Sequence, residues 1–352
     1  MVSIGSLWVP ILIAAVIVFA ASSILAMVLA TVMEPAKRIS LALIGVPALA
    51  AVLAAQTGAG RPAVKPAAPV ALSPEAAAAA LKDIETDRAD TQKWLRSEPT
   101  SYLATVDRRD FGSRKTMTVG RAADNDLRVD APPFAAHHLA VTVEGDRFHV
   151  QAVDPAATFT AGTGKPPTRD AVVDPSAITV GRFLLRLSHQ RFPAIIVFDP
   201  ESPRLKEYKG LKYFPPDLSY RYELALTPNP RPETVVIMST RGNQRHAQHV
   251  GWFDFLVGGV PCRLEAVRLL EPGVGEDELG IFFRDTTTGK ESYPLGRYVD
   301  VKKRPDGRFL LDFNFAYNPA CAFSDHYNCP IPPKGNTLPV AIRAGEMDSH
   351  YH

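Results

Sequence analysis

Side chains able to grip a polar ligand or move a proton crowd into one stretch of this chain, residues 296–346. Arg297 comes first. Asp312, Asn314, Tyr317 and Asn318 follow within Leu310-Leu311-Asp312-Phe313-Asn314-Phe315-Ala316-Tyr317-Asn318-Pro319, and Asn336, Arg343 and Glu346 complete the set. Asp312 and Glu346 are the candidate catalytic carboxyls, suited to general acid–base work. Arg297 and Arg343 could draw in an anionic group, while Asn314, Tyr317, Asn318 and Asn336 offer hydrogen bonds of fixed direction. Those six are the candidate ligand-binding residues. Lys290 and Glu291 lie near enough in sequence to join them. A structural use competes with the chemical one. On a strand, Asp312 and Asn314 would share one face, opposite Phe313 and Phe315. They would then satisfy backbone groups in the proline-rich turns at Asn318-Pro319 and 330–333. Three roles stay open: internal wiring, a pocket that binds without reacting, and an enzyme site.

The chain has three cysteines. Cys321 and Cys329 flank a turn-like segment, and an exported chain would be expected to join them in a local disulfide. Free thiols and zinc are the rivals, with His326 between the pair. A Cys-x7-Cys spacing with one histidine lacks both a known ligand pattern and a fourth ligand, so no metal is assigned. Cys262 reads as a small buried hydrophobe. His246 and His249 could be paired ligands on a helix, but their surroundings read as a polar loop. No glycine-rich phosphate loop, Gly-x-Ser-x-Gly elbow or His-Glu-x-x-His helix occurs, and no cofactor is assigned.

The elements that must position these groups read as mainly β. Thirty-one prolines and twenty-three glycines argue for many turns and few long helices. Short strand-like runs at 116–119, 126–129, 138–143, 147–152, 177–180, 183–188 and 194–199 suggest an antiparallel sandwich over 99–200. Runs at 234–239, 252–257, 260–270, 279–284 and 309–313, with an Asp306-Gly307 turn, predict a second β-rich domain over 201–352. Ahead of both, Ser73-Pro74-Glu75 supplies an N-cap, a proline at the first helical position and an early acid. The spacing predicts a short polar helix over 73–98, ended by Pro99 and laid as a strap over the fold. Residues 57–72 form an Ala/Pro linker.

The first 33 residues contain no Asp, Glu, Lys, Arg or His. Residues 7–33 are long enough to cross a bilayer, which takes about 20 apolar residues. Lys37 and Arg38 interrupt the pattern before a second apolar run at 41–55. The two runs read either as a helical hairpin or as an upstream extension or fusion before a signal peptide that starts at Met33. Both readings of 1–56 put the rest of the chain outside the cytoplasm, in the periplasm or at the cell surface, tethered or secreted. A net charge of +2 gives no electrostatic case for nucleic acid.

Two resemblances sharpen this reading. Gly296-Arg297-Tyr298, the 310–321 run, Cys329-Pro330-Ile331-Pro332-Pro333, Asn336-Thr337-Leu338-Pro339-Val340 and Ala344-Gly345-Glu346 together resemble the bacterial family DUF1684. The 282–293 and 211–221 stretches are similar to it as well, so the resemblance spans roughly 94–346. It implies a family and no assigned reaction. Val119-Gly120-Arg121, Asn125-Asp126-Leu127 and His137-His138, with Ile178-Thr179-Val180-Gly181-Arg182, resemble a forkhead-associated (FHA) domain. In that family a serine three residues before the histidine contacts phosphate. Here Phe134 and Ala135 hold those positions, so the resemblance implies the sandwich and not the phosphothreonine site.

The resulting expectation is an FHA-like antiparallel β-sandwich, a second β-rich domain, a short helix and an N-terminal transmembrane or signal segment. Its function would be extracytoplasmic binding or scaffolding, with the membrane as one partner and a protein or small polar ligand as the other. The alternative is a hydrolase-like enzyme with Asp312 and Glu346 as acid and base and Arg297 and Arg343 binding an anion.

Overall fold

In the computed structural model, residues 65–271 and 273–351 are described, and they begin with a pinned linker. The Ala67 N–H donates to the Asp254 carbonyl at 3.1 Å, and the Leu256 N–H donates to the Ala67 carbonyl at 2.8 Å. The expected anchor or signal at 1–56 lies outside the described residues. Among the described residues no helix is long and apolar enough to cross a membrane.

Helix α1 (Pro74–Ser97) starts where its cap chemistry predicts. Ser73 Oγ accepts from the Ala76 N–H at 3.2 Å, Pro74 takes the first turn, and Glu75 sits at the positive end of the helix dipole. The Glu98 N–H closes the last turn on the Trp94 carbonyl, and Pro99 prevents continuation. Ala80, Ile84 and Leu95 are its buried residues and share one face at helical spacing. That face rests on the carboxy-terminal half.

The first half contains strands β1 (Thr105–Asp110), β2 (Thr116–Gly120), β3 (Leu127–Arg128), β4 (Leu139–Glu144), β5 (Arg147–Ala152) and β6 (Phe159–Ala161). They are followed by β7 (Pro167–Thr168), β8 (Asp170–Val173), β9 (Ala177–Val180), β10 (Phe183–Ser188) and β11 (Ala194–Phe198). They make one sheet in the order β3-β2-β4-β5-β8 and another in the order β1-β11-β10-β9-β6-β7. Alternation decides which face goes inward: Leu139 and Val141 from one sheet meet Phe183, Leu185 and Leu187 from the other in a shared core. β11 breaks the alternation because all five of its residues are buried. Ile195 and Val197 face the sandwich core, while Ile196 and Phe198 pack with Ala104 beneath Leu205.

The second half opens with helix α2 (Pro203–Glu207), then strands β12 (Arg221–Leu224), β13 (Thr227–Pro228), β14 (Thr234–Met238), β15 (Gln244–Val257) and β16 (Val260–Leu269). β17 (Gly280–Phe283), β18 (Arg297–Asp300), β19 (Lys302–Lys303) and β20 (Phe309–Asp312) complete it. One sheet runs β13-β15-β16-β17-β18, with β14 also on β15, and a small sheet runs β12-β20-β19. Phe253, Phe255, Phe283, Phe313 and Tyr222 fill the space between them. Each such side chain contributes about 1.5–3 kcal/mol on burial, so this aromatic core anchors the loop that follows β20. The fold is mainly β in several sheets.

His246 and His249, expected in a polar loop, lie instead within β15. Their odd spacing on a strand sends His246 outward and His249 inward, so the two cannot meet at one metal. The two halves are clasped together. Thr105 Oγ1 and Tyr327 Oη lie 2.6 Å apart, and the Arg241 guanidinium reaches Asp110 at 3.1 Å.

Candidate functional site

β20 ends at Asp312, and the chain turns at once into the short 3-10 segment Phe313–Phe315. Asp312 makes that turn: its Oδ1 accepts from the Asn314 N–H at 3.0 Å and from Asn314 Nδ2 at 2.8 Å. Its Oδ2 receives Arg221 Nη1 at 2.6 Å, an ion pair almost closed to water. Asn314 spends both ends of its amide on residue 217, accepting from the Asp217 N–H and donating to the Asp217 carbonyl, each at 2.8 Å. These two residues are therefore structural as well as surface-lining.

Beyond them a cleft of about 500 Å3 opens between α1 and the 312–318 loop. α1 contributes Asp87, Asp90, Thr91 and Trp94, the loop contributes Phe315, Tyr317 and Asn318, and Asp300, Lys302, Tyr213 and Glu346 close the sides and floor. Asp87, Asp90, Asp300 and Lys302 are exposed at the rim, while Asn318 and Glu346 are buried at the bottom.

The floor is where the chemistry concentrates. Glu346 is 4% exposed, and its Oε2 accepts the Asn318 N–H at 2.8 Å. Burial drives its carboxyl up to about 7, against the opposing pull of that hydrogen bond and of the Arg297 guanidinium. Asn318 donates through Nδ2 to the Met347 carbonyl at 2.9 Å, but its Oδ1 has no partner although it is buried. The buried hydroxyl of Tyr213 is also without a partner, and burial raises its pKa. At the side, Tyr317 Oη donates to Asp300 Oδ1 at 3.3 Å, and the surrounding cleft walls, by partly desolvating the rim-exposed Asp300 carboxyl, raise it. A buried acceptor left empty costs about 1–3 kcal/mol unless a water or a ligand fills it. Gly345 permits this arrangement. Its φ is +78°, and a Cβ there would press into the Phe313 and Ala316 carbonyl oxygens.

Of the sequence-predicted site residues, the cleft brings together Asp312, Asn314, Tyr317, Asn318 and Glu346. Arg297, Asn336 and Arg343 lie outside it. Arg297 is 1% exposed and held on both terminal nitrogens. Its Nη1 donates to the Ala344 and Glu346 carbonyls at 2.6 and 3.0 Å, and its Nη2 to the Ile342 carbonyl and Asp285 Oδ2 at 2.7 and 3.1 Å. Four of its five N–H groups are spent on the protein and the side chain is enclosed, so the expected anion-binding role gives way to a clasp that holds the 342–346 segment in place. Asn336 is spent in the same way, accepting from the Glu265 N–H at 2.7 Å and donating to the Glu265 and Phe282 carbonyls. Arg343 is on the surface in a two-pronged pair with Glu291 at 2.9 and 3.1 Å.

The two cysteines expected to form a disulfide are brought together. Cys321 and Cys329 are buried free thiols, and the Cys321 N–H donates to Cys329 Sγ at 3.2 Å. The turn between them brings the thiols side by side as hydrogen-bonding partners, without a covalent link. Among the described residues no group of three or more His, Cys, Asp or Glu side chains is placed to hold a metal ion.

Sequence reading missed Trp94, Tyr213, Asp87, Asp300 and Lys302. Only Trp94 on an otherwise plain polar helix hinted that α1 supplies a wall.

A β-rich half closed by a strapping helix, with a polar cleft under the strap, defines the class of protein to which this site belongs. Residues 206–347 match the family model described as a protein of unknown function, DUF1684, and the chain belongs to that family. The match covers the second half and starts well after the position 94 suggested by the motifs. An uncharacterized protein of Haloarcula marismortui, known from a solution NMR structure, is 37% identical over 44% of this chain and 85% of its own, with a TM-score of 0.35. Mycobacterium tuberculosis EmbR, solved in complex with a low-affinity phosphopeptide, is 15% identical over 33% of this chain and 31% of its own, with a TM-score of 0.19. No curated protein matches the chain.

Proposed function

We propose that this chain is a membrane-tethered or secreted binding protein that captures a small polar ligand in the cleft beneath α1. One observation carries the reading: Asn318, a residue of the cleft wall, has a buried amide oxygen with no partner in the protein. Natural folds rarely leave such a group empty, and a ligand donor would fill it. The uncharged first 33 residues support the tether and the extracytoplasmic placement. The first half reads as an FHA-like sandwich kept for packing. Arg121 is exposed, and Phe134 and Ala135 stand where phosphate recognition would need a serine.

The test is a thermal-shift panel on the full-length chain in non-ionic detergent, covering metals, phosphorylated compounds, sugars, amines, acyl esters and peptidoglycan fragments. At least one class should raise Tm, and Asp300→Asn and Tyr317→Phe should shrink the increment. A panel that leaves Tm unmoved, or an increment both variants keep, contradicts the reading. The placement is tested separately by a phosphatase reporter fused after His352, active only outside the cytoplasm. Inactive reporter would remove the extracytoplasmic part.

A second reading, hydrolysis, is favoured by the Glu346 carboxyl at about 7, where a group can both take and give a proton near neutrality. Asp312 does not share the task readily, because Arg221 holds it. Turnover of a chromogenic acyl ester that disappears in Glu346→Gln would support this reading, and turnover surviving that change would end it.

A further inference from the structure

We infer that the cleft takes a primary or secondary ammonium carried on an apolar body, an inference that rests on reading the cleft as a binding site. Three independent features agree on this chemistry. The first is the unspent acceptor. Asn318 is 4% exposed, its Nδ2 and backbone N–H each have a partner, and its buried Oδ1 has none. An oxygen can only accept, so the ligand must donate an N–H or O–H.

The second feature is charge. Asp312 is neutralised by Arg221 and Glu346 feels Arg297 and Arg88, but Asp87, Asp90 and Asp300 line the same space against a single lysine of the lining, Lys302. An anionic ligand would enter against that field, and a cation would enter with it. The third is aromatic surface. Trp94, Tyr102 and Phe323 line the cleft as a linked aromatic cluster, with ring centroids 4.9 Å apart for Trp94–Tyr102 and 5.4 Å for Tyr102–Phe323. Such faces attract cations. The protein already supplies one instance, since the Lys302 ammonium lies 5.4 Å from the Phe315 ring centre within the cleft. That ammonium stands in for what the cleft selects.

Competing chemistries each miss one feature. A quaternary ammonium has the charge but no N–H for Asn318. A sugar has donors but gains nothing from the carboxylates beyond hydrogen bonds. A volume of about 500 Å3 suits a small arylalkyl amine.

Titration calorimetry on the full-length chain in non-ionic detergent at pH 8 would use 2-phenylethylammonium, 2-phenylethanol, phenylacetate, tetramethylammonium and glucose as probes. The primary ammonium should bind, and the other four should bind at least tenfold more weakly. Lys302→Gln, an exposed rim change, should tighten the ammonium by about fivefold, and Asp300→Asn should weaken it by a similar factor. A merely structural role for Lys302 would not improve affinity. Equal binding of the alcohol, or no gain with Lys302→Gln, overturns the inference. If alcohol, carboxylate or sugar binds in a manner sensitive to Asp300→Asn, the cation chemistry falls and the binding cleft stands. If none of the five probes gives heat and the thermal panel is also silent, both fall.

Discussion

Glu346→Gln removes one ionisable group and keeps an oxygen able to accept the Asn318 N–H, so its effect can be worked out from the site. The Glu346 carboxyl is essentially enclosed, and burial lifts it from the ordinary 4.5 to about 7. At pH 4 it is protonated in both the folded and the unfolded chain and contributes no pH dependence. Between pH 4.5 and 7 the unfolded chain has released this proton and the folded chain has kept it, so rising pH favours unfolding. Above pH 7 the folded carboxyl is ionised as well, and the loss is complete. Over that window the loss is about 3 kcal/mol, out of a typical total of about 5–15 kcal/mol. With roughly 2–4 °C of Tm per kcal/mol for a body of this size, the variant should gain about 6–12 °C on the wild type between pH 4.5 and 8. Asp87, Asp300 and Glu271 are also raised by burial, while Asp126, Asp199 and Glu291 are lowered. The wild-type curve alone therefore mixes several groups. Subtracting the variant's curve, measured by circular dichroism in matched buffers, isolates Glu346. A difference that stays flat from pH 4.5 to 8, or slopes the other way, refutes the reasoning.

Other consequences can be checked with the same equipment. Arg297→Met leaves Asp285 as a buried charge facing the vacated space and should cost about 3–5 kcal/mol in urea unfolding, with Asp285→Asn on top restoring part of the loss; a cost below about 1 kcal/mol would contradict the clasp. Thiol titration of the non-reduced protein in denaturant should find three free thiols for Cys262, Cys321 and Cys329, and a titre of one would restore the disulfide. Gly345→Ala should destabilise by about 1–3 kcal/mol because φ there is +78° and the Phe313 and Ala316 carbonyls close the space, so an unchanged melting temperature would contradict the turn geometry.

Local chemistry explains which parts could be read from the residues alone. Ser73 and Pro74 begin a helix through interactions within four residues, so α1 was legible to within one residue at each end. Alternation in β4 and β10 is equally local, as is the unbroken apolar run of β11, which shows burial on both faces. The 244–249 segment misled because its polar composition belongs to the outer end of a fourteen-residue strand, held by pairing with β14 and β16 that composition does not record. The site was legible as a set of residue types and not as a surface. Arg297 signals a cation, but nothing nearby in sequence says that three carbonyls and Asp285 surround it. Asp312 signals an acid, yet the Arg221 that occupies it is ninety-one positions away. Trp94 and Asp87 enter the cleft only because the apolar face of α1 docks on the carboxy-terminal half, which fixes where its remaining faces look.

A crystal structure of the protein grown with 2-phenylethylammonium tests the central claim most directly. The cleft account predicts ligand density between Trp94 and Tyr317, with a nitrogen within hydrogen-bond distance of Asn318 Oδ1. An empty cleft at saturating ligand, with Asn318 Oδ1 satisfied by rearrangement of the protein itself, would contradict it.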